Sequence, residues 1–282
     1  MIQRGLLATV ALVLLGCSVA VADELADIEK KLQESFAKVK SYTAKTKSMM
    51  DLTYGPNHTE KSEDKGTYEW IRRDGRVQFR FEFVSDRVAT EDGKQTKSKT
   101  KTLGVCDGEH MYMLSEDAGK KTVIKSKAMD PSDYETKTLL AQLRESHTIK
   151  VLPEEKVDGA DCFVLELKQK PEEGTPPGGR SLMYFRKDLG MSVKGVAYDA
   201  DGKIIHSNVS TDIKLNPDIS ADRFEFKVPP DAEFIDATKF EQSPEGEQPP
   251  PEEEPEQPKQ EEKQEKEKKD KKPRLPKLPK LP

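Results

Sequence analysis

Between Val157 and Ile235 apolar and polar residues alternate with period two in successive short runs, separated by turn residues. In the first run Phe163, Leu165 and Leu167 share one side, with Glu166 and Lys168 on the other, because consecutive strand residues point to opposite faces. Asp158–Gly159 and Asp201–Gly202 supply tight turns, so the region predicts consecutive antiparallel strands, with Phe224, Phe226 and Val228 repeating the pattern near its end. Upstream lies a clearer hairpin: Tyr68 and Trp70 face one way, Asp74–Gly75 turns the chain, and Val77, Phe79, Phe81 and Phe83 line one face of residues 76–85. Strands are also expected at 42–54, 103–106, 110–114, 121–125 and 149–152. Residues 55–65 and 86–99 lack apolar alternation and are expected as polar loops, and 170–180 as a flexible excursion.

Two stretches carry helical spacing instead. Over residues 23–40, Leu25, Ile28, Leu32, Phe36 and Val39 recur at three and four residues on one stripe, with Lys and Glu elsewhere. A stripe of that width covers a sheet face. Residues 131–146 form the second helix: Pro131 suits a first turn, Ser132 and Glu135 make a capping box, and Leu139, Leu140 and Leu143 form the apolar stripe. Lying between the two runs of strands, this helix can cross the concave side of a curved sheet.

Composition narrows the picture. Of the 282 residues, 34% are hydrophobic and 35% charged, a balance that suits one modest core plus a segment that does not fold. Residues 241–282 are that segment, Pro- and Glu-rich and then Lys-rich, too poor in apolar surface to offset chain entropy. In a polyproline II helix the terminal RLPKLPKLP stacks Arg274, Lys277 and Lys280 on one ridge, either as a solvated spacer or as a foot on an anionic envelope membrane or cell-wall polymer. Residues 1–22 read as a targeting segment, with Arg4 ahead of an apolar run too short to span a bilayer comfortably. Cleavage after Ala20-Val21-Ala22 and lipidation at Cys17, within a lipobox-like Leu-Leu-Gly-Cys, compete. Either way the expectation is export to the periplasm, with a membrane tether if Cys17 is acylated. In such a compartment Cys106 and Cys162 either pair as a disulfide or remain buried thiols, and the sequence leaves both open.

Catalytic constellations are hard to find. The four histidines lack companions at metal-ligand spacing, and nucleophile-elbow, phosphate-loop, zinc-protease and dinucleotide patterns do not occur. Net charge is only -5, and basic residues do not interleave with aromatics, so no nucleic-acid partner, cofactor or metal is expected, nor an enzyme. What remains is the apolar inventory, which is either a filled core or a pocket for an acyl chain, where each buried methylene contributes about 0.8 kcal/mol.

The order of elements adds to this. Residues 184–198 (YFRKDLGMSVKGVAY) form a strand, a short Asp/Gly turn and a return strand, and 212–235 place Phe224, Phe226 and Pro229 in an F-x-F-x-x-P pattern after an asparagine-containing turn. These segments resemble the closing part of the LolA/LolB-like family of bacterial lipoprotein carriers. The resemblance implies an α+β, mainly antiparallel fold over residues 23–240: an unclosed half β-barrel with an N-terminal and a midchain helix on its concave side, to which the 170–180 excursion and the disordered tail are extra. It further implies a monomeric carrier or chaperone whose partner is an acyl chain, another lipid or a lipidated protein. Its cavity would be lined by Phe79, Phe81, Phe83, Leu139, Leu140, Leu143, Phe163, Leu165 and Leu167. No counterpart of the family's cavity arginine is identified. A cell-envelope binding or sensor module with a filled barrel, acting through loops or the tail, is the alternative.

Overall fold

A computed structural model describes residues 24–130, 136–170 and 179–239, all within one unit of the chain that ends at Gln242. The targeting segment with Cys17, the capping pair Ser132 and Glu135, most of the 170–180 excursion and the charged tail lie outside the described residues. Helix α1 (24–36) precedes a meander of β1 (Ser41–Thr53), β2 (His58–Arg73), β3 (Arg76–Glu91), β4 (Lys94–Cys106), β5 (His110–Asp117) and β6 (Lys120–Lys127). Helix α2 (Thr136–Ser146) leads into a second meander: β7 (His147–Val157), β8 (Ala160–Gln169), β9 (Arg180–Arg186), β10 (Met191–Tyr198) and β11 (Ile204–Leu215). A short β12 (Glu233–Asp236) is the last strand among the described residues.

All twelve strands belong to one unclosed sheet in the order β12-β6-β5-β4-β3-β2-β1-β11-β10-β9-β8-β7. Pairing is antiparallel except between β12 and β6. The two meanders join where β1 meets β11, Tyr42 opposite Leu215 and Ser48 opposite Asn208. Two-residue turns at Asp74–Gly75 and Asp158–Gly159, with both residues at positive φ, match the twist of the strands they join.

The strands form the unclosed sheet that the resemblance implies, with both helices on its inner face. Leu25, Ile28 and Leu32 of α1 and Leu140 of α2 bury against Phe163, Leu165 and Phe185. Phe36 and Val39 continue the stripe onto Tyr42, Trp70 and Phe79. Arg144 of α2 donates to the Glu29 carboxylate of α1, and Lys170 Nζ donates to the carbonyls of Arg144 and Glu145 at the end of α2. Such a lysine satisfies acceptors that a helix C-terminus leaves open.

Several expectations need correction. The polar stretch 55–65 forms most of the outer arm of β2, since strand structure begins at His58. Likewise 86–99 is not a loop: β3 runs on to Glu91, Asp92–Gly93 turns, and β4 begins at Lys94. Strand ladders need backbone partners rather than apolar side chains. Here cross-strand pairs such as Arg87–Glu60 and Lys99–Asp86 replace the greasy alternation. On β8 the expected polar face is buried too: Cys162, Val164 and Glu166 are as hidden as Phe163, Leu165 and Leu167. Glu166 pairs there with Arg180 at 3.2 Å.

Residues 224–228 do not form a strand. After Asn216 the chain becomes a strap across the outer face, with a 3-10 turn at Ala221–Phe224. Phe224 and Ile219 pack on Ile71, Arg223 forks onto the Glu69 carboxylate at 2.9 and 3.0 Å, and Phe226 stacks on Tyr112. Reaching from β11 to the far side of β6 means passing seven strand spacings, about 34 Å. An extended strap covers that distance; a hairpin strand would not.

Candidate functional site

Strand register arranges the inner face of β11 and β1–β5 in rows. Nearest the helices, Tyr42, Trp70, Phe79, Cys106 and Met111 are successive cross-strand partners. The next row is Ala44, Tyr68, Phe81, Gly104 and Met113, continuing to Ile124 of β6 and Ile235 of β12. A third row mixes characters: Ser210, Thr46, Gly66, Phe83, Thr102 and Ser115. The fourth, Asn208, Ser48, Asp64, Ser85, Thr100 and Asp117, is wholly polar. Rows on one face are two residues, about 7 Å, apart. The face therefore passes from oil to hydroxyl groups within about 20 Å.

Aromatic rings run down this gradient. Phe36 meets Trp70 at 5.3 Å, Tyr42 stacks on Trp70 and on Tyr68 at 5.6 Å, and Tyr68 stacks on Phe79 at 6.1 Å. Phe79–Phe81 and Phe81–Phe83 follow at 6.4 and 5.0 Å. Glycines seat the last two rings. A Cβ on Gly104 would stand 2.2 Å from the Phe81 ring, and one on Gly66 would stand 2.2 Å from that of Phe83. Each ring thus occupies the place that a side chain at the facing glycine would take.

The helices cover the first row but not the ends of the second. Met113 and Ile124 are each 41% exposed and Ile235 39%, an apolar ledge beside Phe81. Beyond Phe83 a cavity of about 600 Å³ is bounded by Thr46, Ser48, Asp64, Ser85, Thr100, Thr102, Asp117, Asn208 and Ser210. Ser48 Oγ donates to Asp64 at 3.2 Å, while Thr46 Oγ1 is buried without a hydrogen-bond partner among the described residues. Two cations reach the cavity, and both are engaged: Arg87 holds Glu60 at 2.6 Å and Lys47 holds Glu63 at 2.9 Å. Lys47, with Lys65 beside it, holds the Glu63 carboxyl below its ordinary range. Desolvation pushes the Tyr42 phenol, at the buried end of the rows, well above its ordinary value.

The nine positions expected to line a cavity fall into two groups. Leu140, Phe163 and Leu165 are buried under α1, with Leu139 and Leu143 packed against them, and Leu167 is buried further along β8. At that end the chain's own side chains pack on one another, and a cavity of about 530 Å³ bordered by Ile28, Lys31, Val151 and Phe163 opens beside them. Phe79 is buried in the main core, Phe81 packs on it, and Phe83 opens onto the cavity. α2 thus caps β7–β9 and not the phenylalanine row. Cys106 and Cys162 are both free and buried, their thiols donating to the Val77 and Ala160 carbonyls at 3.7 Å. Tracing the register, they point to opposite faces of the sheet, which leaves no route to a bridge. Burial pushes both thiols above their ordinary pKa.

The polar rows were missed because their residues lack apolar alternation: Asp64 lies in a stretch expected as a loop, Thr100, Thr102, Ser115 and Asp117 lie just outside the expected strands, and Thr46, Ser48 and Ser85 are polar members of strands recognised by their other residues. A signal was present: the series Phe79, Phe81, Phe83 continues in step to Ser85, and Cys106, Gly104, Thr102 continues backward to Thr100 and Ser98. Among the described residues no three His, Cys, Asp or Glu side chains converge to hold a metal ion, and no helix is long and apolar enough to cross a membrane.

Among solved structures, the chain is similar to an uncharacterized conserved protein of Thermus thermophilus, at 11% identity and a TM-score of 0.45, covering 76% of this chain and 99% of that one. Pseudomonas aeruginosa MucB, solved in complex with MucA, matches at 13% identity and 0.42, over 72% of this chain and 61% of that one. The Mycobacterium tuberculosis lipoprotein LppX matches at 10% identity and 0.36, over 71% and 99%. No family model matches the chain. In sequence it is 28% identical over 223 residues to an uncharacterized protein of Methanocaldococcus jannaschii, covering 77% of this chain and 54% of the other, so it spans about half the length of the curated relative it matches.

Proposed function

We propose that this protein is an exported, non-catalytic carrier that shelters the acyl chain of a lipid or lipidated protein on the inner face of its half-barrel. The observation that carries the reading is the uncovered ledge of Met113, Ile124 and Ile235, next to Phe81 and the 600 Å³ cavity. A half-barrel that only needed a core would draw its helices over that ledge; here they cover the opposite end. Ten methylenes in contact on one side contribute about 4 kcal/mol, enough to reach a millimolar dissociation constant without any polar contact. Contacts on further sides raise this.

Protein purified from cells is expected to carry a lipid adduct in native mass spectra and to bind a dansyl-labelled undecanoate. Met113→Asp and Ile124→Asp place a charge on the ledge at exposed positions, and each is expected to weaken that probe about tenfold or more while the fold persists. Adduct-free spectra together with no probe binding would overturn the proposal. The end covered by α1 and α2 favours a second reading, an envelope sensor or adaptor acting through its tail. Removing residues 241–282 separates the two, since a carrier keeps its lipid affinity and an adaptor loses its partner.

A further inference from the structure

A simple acyl pocket would be greasy throughout, whereas this cavity ends in a polar row built from six different strands. Its ionisable lining groups are Asp64 and Asp117, plus Lys47 and Arg87, whose charges are already taken by Glu63 and Glu60. A phosphate or carboxylate head would meet two carboxylates and find no free cation, so the electrostatics disfavour it. A single cation fits no better. Asp64 lies on β2 and Asp117 on β5, three strand spacings or about 14 Å apart, too far to share one ion.

An extended group with many hydroxyls suits both ends at once. Each carboxylate accepts charge-assisted hydrogen bonds from hydroxyl groups, and Asn208 both donates and accepts. Thr100 and Thr102 add side-chain hydroxyls to the lining. The Phe83 ring offers a face for the C–H side of a sugar ring. A volume of about 600 Å³ lies within the usual range for a small-molecule site.

We infer that the carried amphiphile has an uncharged polyhydroxy head, glycosyl or polyol, seated in the polar row, with its chain running over Phe83 and Phe81 to the ledge. This rests on the carrier reading for the chain but not for the head. Decyl maltoside, decyl phosphate and maltose, each below any micellar concentration, are titrated calorimetrically into the full chain. The expected result is that decyl maltoside binds at least about tenfold more tightly than decyl phosphate, a difference of about 1.4 kcal/mol, and also more tightly than maltose. Asp117→Asn with Thr100→Val, both near-isosteric, should erase the preference over decyl phosphate, weakening decyl maltoside while the loss of one carboxylate strengthens decyl phosphate. Asn208→Ala, at a separate strand, should reduce the preference as well. Equal affinity for the two decyl compounds would sink the head-group assignment and leave the carrier standing. Maltose binding as tightly as its decyl derivative would keep the polyol site and sink the acyl ledge. Binding by none of the three sinks both.

Discussion

At Gly190 the backbone of a helix rests directly on a turn. The residue sits at φ +76° between β9 and β10, and a Cβ there would stand 2.2 Å from the Leu32 carbonyl oxygen and 2.6 Å from the Phe36 nitrogen. α1 can dock only because nothing projects from that position. Gly190→Ala is expected to cost about 2–4 kcal/mol in chemical denaturation, from backbone strain together with the clash. Gly202 is the control: it has φ +84° and open space around its Cβ position, so its alanine variant should cost only about 1 kcal/mol. Equal costs would mean that the helix contact contributes nothing. Gly66 and Gly104 work differently, as seats for rings, and Gly104→Val should lift Phe81 off the sheet and lower probe affinity as well as stability.

Among the elements, β2, β3 and β4 are divided along their length. Their inner halves carry Trp70, Phe79 and Cys106 in the core, while the arms from His58 to Asp64 and from Ser85 to Lys99 have little beneath them. Amide hydrogen exchange should therefore be fast in the arms and slowest in β8, whose residues 162–167 are buried on both faces. Uniform protection along β3 would contradict this division. The same contrast explains what the sequence discloses. Phe79, Phe81 and Phe83 announce a strand because burial of one face selects large apolar residues at period two. Thr96, Ser98 and Thr100 belong to an equally regular strand, but a face turned to a polar cavity or to water makes no such selection, and the run resembles a loop. Both apolar stripes of the helices and the turns at Asp74–Gly75 and Asp158–Gly159 were legible for the same reason that the polar rows were not. Which end of the sheet the helices would cover was not legible, because Leu140 meets Phe163 only through the order of strands, and pairing partners distant in sequence leave no local trace.

Over the whole molecule, ionisation limits stability on both sides. Arg186 holds the Asp188 carboxyl below its ordinary range, and Lys203, with Lys61, does the same for Asp51. A carboxylate held low contributes stability that is complete above its unfolded value, about pH 4, and lost as pH falls through the folded value. Burial raises the Tyr42, Tyr184, Cys106 and Cys162 acids, whose contribution is complete below their ordinary values of 10.0 and 9.0 and is lost as pH rises past them. Melting temperature should thus be level across neutrality, dropping below about pH 4 and again above about pH 9. A melting temperature that still climbs at pH 10 would contradict the burial of Tyr42.

The junction of the two meanders has a consequence in time. Tyr42 lies against Leu215, and the Lys40 amide donates to the Asn216 side chain across 176 residues of chain at 2.7 Å. Each meander is assembled from neighbours and can form quickly, whereas this weld brings together segments made at opposite ends of synthesis, the slow kind of contact. Until β11 is in place against β1 the two halves stay apart. The bed that would receive a ligand straddles that weld, with Asn208 on one side and Ser48 on the other. On the carrier reading proposed above, a ligand would find its bed only in a finished molecule, never in a nascent one.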